Sequence, residues 1–77
     1  MEEIKLYIKT YCPFCQRAIH LLEEKNLSFE VIDVLENQEN EKIFDKLKEE
    51  YNHHTVPMIF IDKEMIGGFS ELSQIKF

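Results

Sequence analysis

The sequence predicts an α/β fold: a mixed four-stranded sheet flanked by helices, in the order βαβαββ with a short closing helix. Two patterns lead to it. Apolar residues alternate at Ile4, Leu6 and Ile8 and then switch to helical spacing from residue 13. A second strand-then-helix pair follows over 29–51, and two short apolar runs joined by Asp62-Lys63-Glu64 close the pattern.

Each element has its own signal. Residues 4–9 read as a strand because period-two alternation sends one set of side chains to a single face. Residues 13–25 read as a helix. Pro13 stands at the first helical position, where its missing N–H has no partner to lose. Phe14, Ala18, Leu21 and Leu22 form one stripe, and Asn26 is the expected C-cap. Residues 29–34 are apolar on both faces, which predicts a buried strand. Residues 40–51 read as a second helix with Ile43, Phe44, Leu47 and Tyr51 inward. Residues 58–61 form a continuous apolar run and read as another buried strand. The turn at 62–64 returns the chain into a strand over 65–67, so these two pair antiparallel. Residues 70–75 begin a third, short helix. The first βαβ unit is expected to be parallel and right-handed. Open α/β sheets hold ligands beyond the carboxyl ends of their strands, so the site is expected just after residue 9.

Composition narrows the function. The 77 residues are 44% hydrophobic and contain no repeat or linker, which predicts one domain over 1–77 with a modest core. Fifteen acids against nine bases give a net charge of −6, the wrong sign for a nucleic-acid partner. No apolar run approaches the roughly 20 residues of a membrane span. The start, Met1-Glu2-Glu3, is acidic and unlike a targeting peptide, so a cytoplasmic location is expected. Lys5, Lys9 and Arg17 lie near the cysteines with no acid between residues 4 and 22, which predicts a locally basic reactive end on an acidic body.

The only two cysteines stand together in Cys12-Pro13-Phe14-Cys15, at the strand-to-helix junction. At the start of a helix this spacing brings the two Cα atoms to roughly 5 Å, inside the range of about 4.4–6.8 Å that a disulfide accepts. Cys12 falls at the cap position. Its sulfur faces the free N–H groups and the positive dipole end of the first turn, which favour thiolate. Cys-X-X-Cys sites lower a thiol from about 8.5 into roughly the 3.5–7.5 range. Cys15, one turn in, is expected to be more buried and less ionised. Cys12 is therefore the expected nucleophile and Cys15 the resolving thiol. Adjacent His53 and His54 cannot readily share one metal ion and His20 has no periodic partner, so no metal is expected. Both loop histidines read as exposed, with His54 at the rim of the groove.

Three segments in this order and spacing resemble the glutaredoxins of the small dithiol class: Cys12-Pro13-Phe14-Cys15, Thr55-Val56-Pro57 and Gly67-Gly68. The resemblance covers nearly the whole chain. It implies a thioredoxin-like fold and a glutathione-dependent thiol–disulfide oxidoreductase, with glutathione as co-substrate. Expected partners are disulfide-bonded or glutathionylated proteins, ribonucleotide reductase among them, with the enzyme a monomer. It also implies a cis Pro57 beside Cys12, with the backbone before it offered to the substrate like a strand edge.

The resemblance further implies a glutathione site from Lys9, Tyr11, Phe14, Thr55, Val56, Pro57, Gly68, Phe69 and Ser70. Lys9 is expected to meet the glycine carboxylate, and the Gly67-Gly68 backbone the γ-glutamyl end. Phe14 stands where tyrosine is more usual, keeping the apolar wall without the hydroxyl. Ser70 stands where family members commonly carry aspartate, which leaves the γ-glutamyl ammonium without a counter-charge. Two other readings share the motif. A redoxin fed by thioredoxin reductase would usually lack Lys9 and Gly67-Gly68. An iron–sulfur cluster carrier tends to lack the proline that Pro13 supplies.

Overall fold

The computed structural model describes residues 3–76; the acidic start at Met1 and Glu2, and Phe77, lie outside the described residues. Seven elements follow in order: β1 Ile4–Ile8, α1 Pro13–Glu24, β2 Glu30–Asp33, α2 Gln38–Tyr51, β3 Met58–Ile61, β4 Glu64–Gly67 and α3 Phe69–Ser73. The sheet order is β2-β1-β3-β4. β1 runs parallel to β2 and antiparallel to β3, and β3 and β4 form an antiparallel hairpin.

The sheet divides two cores. Ile4, Leu6 and Ile8 face α1 and α3, where they meet Cys15, Ala18, Leu22, Ile59 and Leu72. Tyr7 faces the other way, toward Phe44 on α2, with Val34, Met58 and Phe60. This is the period-two rule at work: one strand feeds both layers. The α2 layer is an aromatic run, with Tyr7 stacked on Phe44 at 6.3 Å. Phe60 meets Tyr7 edge-on at 5.9 Å and Tyr51 at 5.4 Å.

Turn chemistry explains the joints. Asp62 and Lys63 both take positive φ, 52° and 70°, the conformation that lets a two-residue hairpin follow the strand twist. Asn52, the C-cap of α2, and Asn26, just past the end of α1, both lie in the left-handed region, at 51° and 57°, as this residue tolerates better than most. Asn37 caps α2 by accepting from the Asn40 N–H at 2.8 Å. Asn40 in turn donates from Nδ2 to the Asp33 carbonyl at 3.0 Å, tying α2 to the end of β2.

Several expectations need correction. β2 is an edge strand, not a buried one, and Val31 is 40% exposed. β3 occupies the other side of β1, so β2 has one neighbour only; local apolar pattern does not encode strand order. α2 starts at Gln38, earlier than apolar spacing suggests, because the Asn37 cap sets its start. Asn26 lies one residue beyond the C-cap, which is Lys25. On α1, Cys15 rather than Phe14 joins Ala18 and Leu22 in the core. On α2, Ile43 and Tyr51 are exposed while Phe44 is buried. α3 covers Phe69–Ser73, one residue earlier and shorter than its apolar pattern suggests.

Leu72 anchors this short helix, fully buried in the α1 core. Leu72→Ala is expected to destabilise the protein by about 2–5 kcal/mol, the usual range for such a deletion in a core. Urea unfolding followed by far-UV circular dichroism measures it. An unchanged midpoint would mean that α3 does not belong to the core.

Candidate active site

Strand register assembles the site. Tyr7 of β1 lies opposite Met58 of β3, so the chain leaving β1 and the chain entering β3 meet at one edge of the sheet. Gly67, at the end of β4, lies opposite Ile59 and brings a third segment to the same edge. The first segment carries Cys12, the second Val56-Pro57 with its cis peptide bond, and the third Gly67-Gly68.

Cys12 is the N-cap of α1, with extended backbone, and Pro13 follows at the first helical position. A tight turn sets it there: the Cys12 N–H donates to the Lys9 carbonyl at 3.1 Å. Both thiols are free; Cys12 is half-buried and Cys15 buried. In the neutral form the Cys12 thiol donates to the Val56 carbonyl at 3.7 Å. Once ionised, its sulfur becomes an acceptor. Partial burial opposes that ionisation but is outweighed by hydrogen bonds from the Cys15 N–H, the Cys15 thiol and the Phe14 N–H, and by the charge of Lys9. The net result is a Cys12 thiol held below its ordinary value.

Cys15 goes the other way. Burial pushes its thiol up to about 12; the hydrogen bond it gives to Cys12 and the charge of Cys12 add to this, and the Lys9 backbone and charge oppose it. The two sulfurs thus share one proton field and divide it unequally. Cys12 is the thiol that gives up its proton more readily. The other is a proton donor that supports it.

Beside the thiols lies a groove of about 160 Å³ lined by Phe14, Val56, Pro57, Gly68, Phe69, Ser70 and Glu71. It gathers six of the nine residues expected at a binding site. Lys9, Tyr11 and Thr55 are outside this lining. Lys9 still acts on both thiols through its charge, whereas Tyr11 is 72% exposed and Thr55 bonds His53 at 3.3 Å. Phe14 is 53% exposed; it leans on Phe69 at 6.2 Å and carries the Arg17 guanidinium over its ring at 5.3 Å. Its exposure, wrong for a core residue, suits a groove wall.

Two residues beside Gly68 are not singled out by the sequence. Glu71 lines the groove, and its Oε1 accepts from the Gly68 N–H at 2.7 Å, so a carboxylate is fixed one residue beyond Ser70. The signal was present: glutamate three residues after a helix cap closes back on it. His53, not His54, is the half-buried histidine, with its ring 3.9 Å from where a Cβ on Gly68 would stand. Gly67 has φ +122°, and a Cβ there would lie 2.5 Å from Glu71 Oε1; conformation and space both require glycine. Elsewhere His20 Nε2 lies 3.2 Å from Glu24. Among the described residues no three His, Cys, Asp or Glu side chains gather as metal ligands, and no helix is long and apolar enough to cross a membrane.

The glutaredoxin family model matches residues 4–66. Glutaredoxin-1 of Variola virus is 33% identical, over 96% of this chain and 71% of its own length. Among solved structures, glutaredoxin 1 from Francisella tularensis, complexed with cacodylate, is 36% identical with a TM-score of 0.72, covering 95% of this chain and 90% of that one. A buckwheat glutaredoxin–glutathione complex is 26% identical with a TM-score of 0.85, covering 91% of this chain. The chain spans 64% of the buckwheat protein's length, less than two thirds.

The unequal thiols set a pH test. Cys12 alkylation by iodoacetamide is expected to inflect below about 8.5, the value of a free cysteine. Cys15 is expected to stay unmodified until strongly alkaline pH. Mass spectrometry of peptides after timed labelling reads both, and equal inflections would refute the division. Stability should follow with opposite signs. The Cys12 contribution is present at high pH and lost as pH falls through its lowered value. The Cys15 contribution is complete below the ordinary thiol range and lost as pH rises toward about 12.

Proposed function

The chain belongs to the glutaredoxin family, and from that membership we propose that it is a glutathione-dependent thiol–disulfide oxidoreductase whose nucleophile is Cys12. The observation that carries the reading is the pairing of a Cys12 thiol held low with a Cys15 thiol pushed up to about 12. Glutathione, glutathionylated proteins and disulfide-bonded proteins are its proposed partners. The 77 residues act in this reading as one monomeric domain. A reducing compartment, the cytoplasm, suits a site regenerated by a thiol pool.

The reaction runs by thiolate exchange. The Cys12 thiolate attacks the glutathione sulfur of a protein–glutathione mixed disulfide. A bond forms between Cys12 and glutathione, the old S–S bond breaks, and the protein leaves as a thiolate that takes a proton. A second glutathione thiolate then attacks the bound one. Oxidised glutathione departs and the Cys12 thiolate returns. With a protein disulfide, Cys12 forms a mixed disulfide with the protein, and Cys15 attacks the Cys12 sulfur. That closes the Cys12–Cys15 bond and releases the protein thiol; two glutathiones reopen it. Cys15 becomes easier to ionise at this stage, because a Cys12 in a disulfide no longer carries the charge that holds the Cys15 proton.

Recognition follows from the groove. The Val56 carbonyl faces the Cys12 sulfur, and backbone beside it is available for strand-like pairing with an extended substrate. Phe14 and Phe69 form an apolar wall. Lys9 supplies a cation for a carboxylate. Glu71 supplies the counter-charge to an ammonium that Ser70 lacks: its Oε1 is held by Gly68, and a carboxylate has further lone pairs to offer.

The assay uses hydroxyethyl disulfide, glutathione and glutathione reductase. Turnover is expected, abolished by Cys12→Ser and largely retained by Cys15→Ser. No turnover with glutathione, but activity with thioredoxin reductase, would overturn the reading. Glu71→Gln keeps an acceptor for the Gly68 N–H and removes the charge. It is expected to raise the KM for glutathione about threefold to tenfold with kcat little changed, the scale of one partly exposed charged contact.

A further inference from the structure

Tyr7 carries a polar atom that the redox site does not use. Its side chain is 7% exposed, stacked on Phe44 and edge-on to Phe60. Among the described residues the hydroxyl has no hydrogen-bond partner, and it is not sealed off either, since no fully buried side-chain polar atom is left unpaired. A buried phenol normally finds a partner. Tyr7 lines a cavity of about 210 Å³ together with Glu3, Lys5, Leu47, Phe60 and Lys63.

The cavity is separate from the thiol groove. It shares no lining residue with it and lies on the α2 face of the sheet. Lys5 is three residues before Ile8, about 10 Å back along the strand.

Its chemistry is specific. Phe60, Leu47 and the Tyr7 ring make apolar walls. Lys5, two residues before Tyr7, projects to the same face, and Lys63 stands in the hairpin turn. No carboxylate of the described residues pairs with either ammonium within 4.0 Å; the ion pairs present are His20–Glu24 and Lys48–Asp45. Glu3 is the only acid in the lining, so cations outnumber it on a chain of net charge −6. The rim is held in place. The Glu3 N–H donates to Asp62 Oδ1 at 2.7 Å, and the Asp62 N–H donates to the Glu3 carbonyl at 2.8 Å.

Size and donors together select a ligand class. An apolar cavity of about 150 Å³ takes benzene, so this one has room for a ring with one small substituent. Two ammonium groups and a phenol call for an anionic one. We infer that this cavity binds a small aromatic carboxylate, its ring against Tyr7, Phe60 and Leu47 and its carboxylate toward Lys5, Lys63 and the Tyr7 hydroxyl.

The test is a titration of the 15N-labelled protein with benzoate, followed by amide chemical shifts. A ligand of this size is expected to bind in the millimolar range, so the titration runs to about 20 mM. Saturable shifts are expected at Lys5, Tyr7, Phe60 and Lys63. Lys63→Gln, in an exposed turn, is expected to weaken benzoate about threefold to tenfold, and Tyr7→Phe, which keeps the ring, to weaken it as well. Benzamide tests the charge and acetate the ring, and both should bind more weakly than benzoate. The inference fails if no shift saturates, if the shifts centre on Cys12, if either control matches benzoate, or if Lys63→Gln binds benzoate like the parent.

Discussion

The antiparallel pairing of β1 with β3, with Tyr7 opposite Met58, is the constraint on which the rest of the molecule depends. Because the strands run in opposite directions, the exit of one lies beside the entrance of the other. Cys12 follows that exit and Pro57 precedes that entrance. A one-residue slip would turn the Ile4, Leu6 and Ile8 face away from α1 and expose it. The apolar pattern that builds the core therefore also holds the chemistry in register. β4 adds Gly67 and Gly68 at the same edge, and the α3 that they introduce is anchored by Leu72 in the core it shares with Cys15.

The same geometry makes the two cysteines unequal. Cap position leaves Cys12 half-buried at the mouth of the site, facing backbone N–H groups that have no helical partner. One turn later the helix carries Cys15 into the core with Ala18 and Leu22. Burial keeps the Cys15 proton in place, and that thiol then stabilises the thiolate beside it. Neither effect needs an acid or base from elsewhere in the chain; Lys9 adds a cation to an arrangement made mainly of backbone.

The two faces of β1 carry different work. Ile4, Leu6 and Ile8 support the layer that positions the thiols. Lys5 and Tyr7 face α2 and line a second cavity of aromatic and cationic character. Tyr7 belongs to the register pair and to that cavity, so the strand that orders the redox edge also shapes the opposite layer.

Much was legible in the sequence, and the reason is local. Strand alternation, the Pro13 start, the Cys12 cap and the turn at Asp62-Lys63 depend on a residue and its near neighbours. So do the element order and the Cys-X-X-Cys spacing, and with Thr55-Val56-Pro57 and Gly67-Gly68 they identify the family. Tertiary structure decided what depends on partners distant in the chain. β2 became an edge strand because β3 took the other side of β1. Phe14 became a wall because Phe69 lies across from it. His53 rather than His54 turned inward beside Gly68, and Glu71 entered the groove by closing back on Gly68. A side chain's type sets what it can bond or bury. Which atoms come within bonding distance is set by strand order and register, and those are properties of the folded chain as a whole.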